Sequence, residues 1–524
     1  VAKELAVAGF SVVVLEQGPY YREKDFTHDE MKFNFNSPLM NDTKVQPQSF
    51  RRSETEAAKV QRSVGYGRQV GGGTVHFAAN YWRFHELDFN ERTIWGEIPG
   101  TGFADWPITY AELEPYYTKA EYDIGVSGLA GANPFEGPRS KPYPLPPMPV
   151  KSSGVLFERG AKKLGLHPFP APVAVISKDF RGRVACVHCG FCARFGCEVG
   201  AKSSSLATVI PMALHTGRCE VRADAYVRKI ETGANGKVTG AIYFDKNRKE
   251  IFQKARAAVV CANGAETPRL LLMSKSNRFP NGLANSSGLV GKYLMFDVGS
   301  TAQAVFEHPL NDYKSIEVTR LIHDYYAADP KRGFYGGAGI DARFNSNPLL
   351  FGLRGMPRDM PQWGAEFKQN LGEYFTRSMT SMSHATCLPL EGNSISLDPE
   401  LKDAWGLPSM RVTFKLHPDD VKNQHFILAR QREILEAAGA KKVWDNGVWD
   451  VSGSVHLMGT CRMGNDPAKS VTDKYNRAHD VPNLFIVDGS SFVTSGRQQP
   501  TGTIQALAYR AADFIAKSAK AGAV

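Results

Sequence analysis

The sequence predicts an α/β domain of the Rossmann-like, dinucleotide-binding type, its first strand and glycine loop missing from the residues given, combined with an α+β domain built on an antiparallel sheet. Three observations carry this. The chain opens in the second half of a βαβ unit and reaches an acid, Glu16, at the end of a buried strand. Near the other end, the apolar run Leu484 to Val487 stops at Asp488-Gly489 and is followed by a proline-opened amphipathic helix. Between them, residues 300–446 interleave aromatic and polar residues, with few tight turns that would suit a nucleotide.

A chain of 524 residues, 42% hydrophobic and 22% charged, can bury two cores without staples. No apolar run reaches the length of a bilayer crossing, and no stretch reads as a secretory leader. The formal charge of +10 comes from scattered basic residues, which argues for a solvated surface and against nucleic acid as a partner.

Taken in order, Val1 to Ala8 reads as the end of a helix, Gly9 as its cap and Ser11 to Leu15 as a parallel strand. Glu16 is then the acid that, in a dinucleotide fold, takes the ribose hydroxyls. A crossover helix cannot complete a sheet without its preceding strand, so further chain is expected before Val1. From Ser63 the sequence SVGYGRQVGGGTVHFAANYWRF places Gly71, Gly72 and Gly73 in succession. Three glycines suit a backbone laid directly on a ligand. ITYAELEPYYTKAE reads as a helix, and the proline-rich Gly131 to Val150 as an extended surface connection.

Cys186, Cys189, Cys192 and Cys197 form a C-x2-C-x2-C-x4-C array, half of the eight cysteines within twelve positions. Thiolates so close, and punctuated by glycine, are what an iron-sulfur cluster requires. Structural zinc, which usually draws on two separated pairs, and disulfides are the rival readings. No C-x-x-C-H occurs, so no covalent haem is expected. Arg218 to Ala262 reads as an antiparallel meander around a Gly233 to Gly236 turn. VVCANGAETPRLLLMS repeats the strand-to-helix passage, with Gly264 in the turn, Thr267 as N-cap and Pro268 at the first helical position. His456, in SVHLMGTCRMG, has the intrinsic pKa of a base. Pro500-Thr501 breaks the chain before a helix from Thr503 to Ala516, whose N-terminus would face an anion or an electron-rich ring.

HLMGTCRMG, VDGSSFVTSG and PTGTIQALAYRAADFI together resemble the C-terminal signature of the glucose-methanol-choline (GMC) oxidoreductases, FAD enzymes that oxidise alcohols and sugars. Asp105-Trp106-Pro107 and the passage around Gly264 are similar to the family as well. The resemblance implies His456 as the base that takes the hydroxyl proton. It puts Gln499 where the family usually has His or Asn, so that an amide donor replaces it from a side chain one methylene longer than Asn. It implies FAD contacts from Glu16, Gly71, Gly72, Gly73, Val227, Gly264, Asp488, Gly489, Pro500 and Thr501. His76 stands where several sugar-oxidising relatives attach the flavin covalently, although Phe77 replaces their common Trp. A packed core histidine is the other reading there. NSISLDPELKDAWGLPSMRVTF is assigned to the sheet of the substrate domain, where no sugar-contacting residue can be singled out. His384 and His479 have no motif around them.

CVHCGFCARFGCEVGAKSSS narrows the resemblance to the flavoprotein subunits of membrane-associated gluconate, glucose and fructose dehydrogenases. It implies a sugar or sugar-acid substrate and a cluster of the 3Fe-4S or 4Fe-4S type. It also implies a small chaperone-like subunit with an export signal, a cytochrome c subunit, a periplasmic location and membrane contact only through partners. The alternatives are an oxygen-using oxidase, a glycoside-3-oxidising relative, or a non-catalytic flavin- or zinc-binding subunit. The expected organisation is an FAD-binding domain assembled from residues 1–130, 200–299 and 447–524, with a connection and cysteine segment at 131–199 and a substrate domain at 300–446.

Overall fold

The strand Val12–Leu15 consists of three valines and a leucine, residues whose branched side chains fit a pleated, half-buried surface. It pairs in parallel with Cys219–Arg222, Val12 lying opposite Cys219. The helix before it, Ala2–Val7, runs out at Gly9, whose φ of +98° would strain any side chain. A second parallel pair joins Leu484–Ile486 to Ala258–Val260. The computed structural model describes residues 1–344 and 347–523.

The meander expected over 218–262 is narrower than the sequence suggested. Only Tyr226–Thr232, Val238–Phe244 and Glu250–Lys254 form the antiparallel three-stranded sheet. The flanking runs join the two parallel pairs instead, and for Ala258–Val260 the reason is visible in its unbroken apolar sequence.

The substrate half is a six-stranded antiparallel sheet in the order Lys442–Val448, Ser300–Val305, Ser378–Ala385, Ala338–Arg343, Val318–Ile322, Phe169–Pro170. Its inward small residues, Ala302, Ala304, Ala338 and Ala342, share one core with Ile427, Ile434 and Leu435 of the long helix Pro418–Ala437. Small residues on the sheet let that helix lie close and bury its apolar stripe. Among the described residues no helix is long and apolar enough to cross a membrane.

Two local expectations are corrected. The segment assigned to the substrate-domain sheet forms a separate four-stranded sheet, in which Ser394–Lys402 and Pro408–Thr413 pair with Gln48–Arg51 and Lys59–Val60. Asp398 fixes that choice, accepting the Ser49 hydroxyl at 2.5 Å and the Arg411 guanidinium at 3.1 Å, a pairing across 349 residues that no local pattern reveals. The helix after Gly264 begins at Asn263, so Thr267 and Pro268 lie inside it and do not open it. The Asn263 side chain accepts the N–H groups of Ala265 and Glu266, which satisfies the first turn. Pro268 leaves the Gly264 carbonyl without its helical donor, and the Thr460 hydroxyl takes that place at 2.7 Å. Thr267 instead donates to Asp488 at 2.5 Å, tying the helix to the other parallel strand.

Candidate active site

Three of the sequence motifs meet at one carbonyl. A Cβ on Gly264 would lie 2.2 Å from the Leu457 oxygen, and one on Gly489 would lie 2.6 Å from it, so both positions admit only glycine if Leu457 is to pass between them. The residue before Leu457 is His456. Its loop is zipped to the segment 295–297, Met295 and Met458 exchanging backbone bonds of 2.9 and 3.1 Å. The Ser454 hydroxyl accepts the N–H of Asp297 at 3.2 Å and that of His456 at 3.1 Å. Asp297 and His456 are thereby held side by side.

The Asp297 carboxylate serves two imidazoles. One oxygen is 3.0 Å from His384 Nδ1 and the other is 3.4 Å from His456 Nδ1, the ring centroids being 5.9 Å apart. His384 Nε2 faces two donors, Arg343 Nη2 at 3.2 Å and the Gln499 amide nitrogen at 2.5 Å. Arg343 is itself gripped by Asp341, with Nε to Oδ1 at 2.7 Å and a second bond to Oδ2. Since Arg343 can only donate, His384 Nε2 must accept, and His384 carries its proton on Nδ1 toward Asp297. Asp297, His384 and His456 lie within the reach of one metal ion, but these hydrogen bonds account for their spacing, and the guanidinium beside them opposes a further cation.

Burial pushes the Asp297 carboxyl up, but His384, His456 and Arg343 outweigh it and hold the group below the usual carboxylate range, so it is ionised. Burial lowers the His456 pKa, with Asp297 and a hydrogen bond to Gln499 opposing, and the ring stays below the ordinary imidazole value. At neutral pH His456 therefore keeps a lone pair.

Gly71 and Gly72 have φ of +96° and +59°, and a Cβ on Gly72 or Gly73 would meet nothing within 4 Å, leaving an open backbone face. Gln69 donates to the Gly72 carbonyl at 2.8 Å and lies 3.2 Å from His76 Nδ1. Burial, with Lys202 and Arg194 adding, takes the His76 pKa down to about 3, so that imidazole is neutral. Upstream, the Glu16 carboxyl accepts, among the described residues, only Gly18 N–H, at 2.8 Å, and burial raises its pKa to about 7. Ala225 N–H bonds the Glu16 carbonyl at 2.8 Å, which brings Val227 to the same end, and Val70 N–H bonds Pro19, which brings in the glycine run. Asp488 is consumed by the protein: it accepts Asn263 N–H, the Thr267 hydroxyl and Ser490 N–H. Pro500 and Thr501 open the helix Thr501–Lys520, whose N-terminus has no side-chain cap. The open glycine face, an acid short of donors and an uncapped helix N-terminus fit an extended dinucleotide carrying an electron-rich ring.

The cysteine loop is riveted next to this cradle. Lys202, 2% exposed, donates to the carbonyls of Cys192 at 2.7 Å, Phe195 at 2.7 Å and Phe77 at 3.2 Å. Arg194 N–H bonds the His76 carbonyl at 2.6 Å. All four cysteines are free thiols, and burial raises the pKa of Cys186, Cys189 and Cys192.

His384, Asp297, Arg343 and Ser454 escaped the sequence reading. No motif surrounds His384, Asp297 or Arg343, and Ser454 stands in SVHLMGTCRMG with no local sign of its role. The available signal was compositional: Ser378–Ala385, SMTSMSHA, is a strand rich in polar residues yet almost wholly buried.

The parallel pairs, the glycine cradle and the half-buried base define a flavoprotein oxidoreductase. Two GMC oxidoreductase profiles match this sequence, over residues 50–296 and 389–508, and the chain belongs to that FAD-dependent family. It is 36% identical to 2-methyl-1,2-propanediol dehydrogenase of Mycolicibacterium austroafricanum, over 99% of this chain and 93% of that one. It is 30% identical to the fructose dehydrogenase large subunit of Gluconobacter japonicus, over 87% and 82%, and 27% identical to the gluconate 2-dehydrogenase flavoprotein of Pantoea cypripedii, over 98% and 91%. Among solved structures, formate oxidase from Aspergillus oryzae shares the fold, with a TM-score of 0.70 at 13% identity over 99% of this chain and 96% of that one.

Proposed function

We propose that this chain is the catalytic flavoprotein of a dehydrogenase that oxidises a CH–OH group of a sugar, a sugar acid or a smaller polyhydroxy alcohol. The observation that carries the reading is His456, neutral, its Nδ1 against an ionised carboxylate and its Nε2 taken by no charged partner. The flavin, when bound, supplies the hydride acceptor. His456 Nε2 takes the hydroxyl proton, and the second N–H of the Gln499 amide is left to orient the substrate oxygen. The relatives named for a diol, for fructose and for gluconate support a hydroxyl donor.

Under the same proposal Cys186, Cys189, Cys192 and Cys197 hold an iron-sulfur cluster, 3Fe-4S or 4Fe-4S, that passes electrons onward. The rivets from Lys202 and Arg194 support it, because they fasten the thiols to the segment beside the glycine cradle. A cytochrome c subunit then receives the electrons, a small subunit carries the export signal, and the complex works in the periplasm, held to the membrane by its partners.

The test is anaerobic addition of diols, sugars and sugar acids to the purified holoenzyme, following flavin absorbance and paramagnetic resonance together, with iron and sulfide analysis. Bleaching by one donor class with a changing cluster signal supports both parts. Full turnover by His456→Ala refutes the catalytic assignment, and flavin without iron refutes the relay.

A further inference from the structure

We propose that Asp297 is the positioning residue that makes His456 the base, fixing the tautomer of both active-site histidines from one carboxylate. This rests on the catalytic reading of His456 above. A carboxylate is acceptor-only, so each imidazole that faces it through Nδ1 must present N–H there and keep its lone pair on Nε2. On His384 that lone pair is filled by Arg343 and Gln499. On His456 no guanidinium stands in the way, and its one further side-chain partner is the neutral Gln499 amide, which a substrate hydroxyl can displace to give up its proton. The two rings share a carboxylate and a tautomer, and Arg343 decides which of them can act. After proton transfer the His456 imidazolium lies 3.4 Å from a full negative charge.

The arrangement is built into the backbone. Ser454 Oγ collects the N–H groups of Asp297 and His456, and the exchange between Met295 and Met458 locks the register two residues away. The titratable groups facing Asp297 are His384 from the strand Ser378–Ala385, His456 itself and the Cys387 thiol. Arg343, with Asp341 and Glu317 against its guanidinium, stands behind His384. Burial keeps Cys387 well above its ordinary range and thus neutral. Among the groups acting on His456, Asp297 is the one that brings negative charge, with Arg343 and His384 opposing it.

The decisive variant is Asp297→Asn. An amide offers one acceptor and one donor, and the two rings both require an acceptor, so one imidazole must change tautomer. The expected result is a fall in the rate constant of flavin reduction on the order of 10³–10⁴-fold, the loss seen when a histidine base is left in the wrong tautomer, with KM within a few-fold. Without the opposing charge, burial, with His384 and Arg343 adding, outweighs the Gln499 hydrogen bond that remains to His456. Its pKa drops, and the acid limb of the residual kcat/KM profile moves to lower pH. Ser454→Ala should give an intermediate loss of about tenfold, since it loosens the pair without removing the charge. Nitrogen-15 spectra of selectively labelled histidine should show Nδ1–H for both rings in the wild-type protein and a changed tautomer in Asp297→Asn, whether or not the variant turns over. If Asp297→Asn fails to fold, the Ser454→Ala rate and the wild-type tautomer still decide. Wild-type protein that reduces its flavin, together with Asp297→Asn within fivefold of it and an unmoved pH profile, overturns the proposal. So does an Nε2–H tautomer at His456 in the wild type. A wild type that no hydroxyl donor reduces would instead fail the underlying function.

Discussion

Replacing Gly264 by alanine tests whether the backbone crossing at Leu457 sets the position of the base. The new Cβ would stand 2.2 Å from the Leu457 carbonyl oxygen and 2.5 Å from its carbon, both backbone atoms that no rotamer change can move. Real Cβ contacts stop near 3.0 Å, so one segment must retreat by about 0.8 Å. The helix Asn263–Met273 is anchored by Thr267 on Asp488, whereas Leu457 lies in a loop, so the loop gives way and carries His456 with it. A displacement of about 1 Å at a reacting group costs on the order of 10²-fold in rate. The assay is single-turnover flavin reduction with the best donor, alongside flavin content and thermal unfolding. The prediction is a roughly hundredfold slower reduction in a protein that keeps its flavin. A reduction rate within twofold of wild type would refute the reasoning that these glycines position the base.

Gly73→Ala probes the opposite kind of glycine: its Cβ meets no protein atom, so the apoprotein should melt within about 1 °C of wild type while flavin affinity, measured by fluorescence quenching, falls at least tenfold. Glu16, with a pKa of about 7 in the free protein, must ionise to accept two ribose hydroxyls fully. Apoprotein affinity for FAD should therefore rise as pH increases up to about 7, by as much as tenfold per unit, and Glu16→Gln should flatten that slope. Arg497, 1% exposed, sits between Asp88 at 3.1 Å and Glu91, two residues before Gln499. Arg497→Met leaves both acids uncompensated and should cost about 3–5 kcal/mol in denaturant unfolding, with slower turnover.

Much of the cofactor half was legible because its signals are local. Three valines before Glu16, a glycine triplet, an apolar run stopped by Asp488 and a proline-opened helix each state their conformation within a few residues. The substrate half was not, because its order is set by pairing across the chain. Ser394–Lys402 has a strand pattern compatible with either sheet, and Ser49 bound to Asp398 decided between them. The start of the helix Asn263–Met273 is decided in a related way. Thr267-Pro268 has the form of a helix start, and a hydroxyl from Thr460, 196 residues away, made an internal proline tolerable.

Sequence alone determined the residue types: a histidine in a glycine-threonine setting, glycines where backbone must be bare, four thiols within twelve positions. Tertiary structure decided what those residues are to each other. His384 carries no motif, and only the pairing of Ser378–Ala385 with Ala338–Arg343 brings it beside Arg343, and only the Ser454 hydroxyl brings Asp297 to His456. The physical reason is that a base needs its partners within about 3 Å, while the chain separates Asp297, Arg343, His384 and His456 by dozens of residues, a distance that only folding closes.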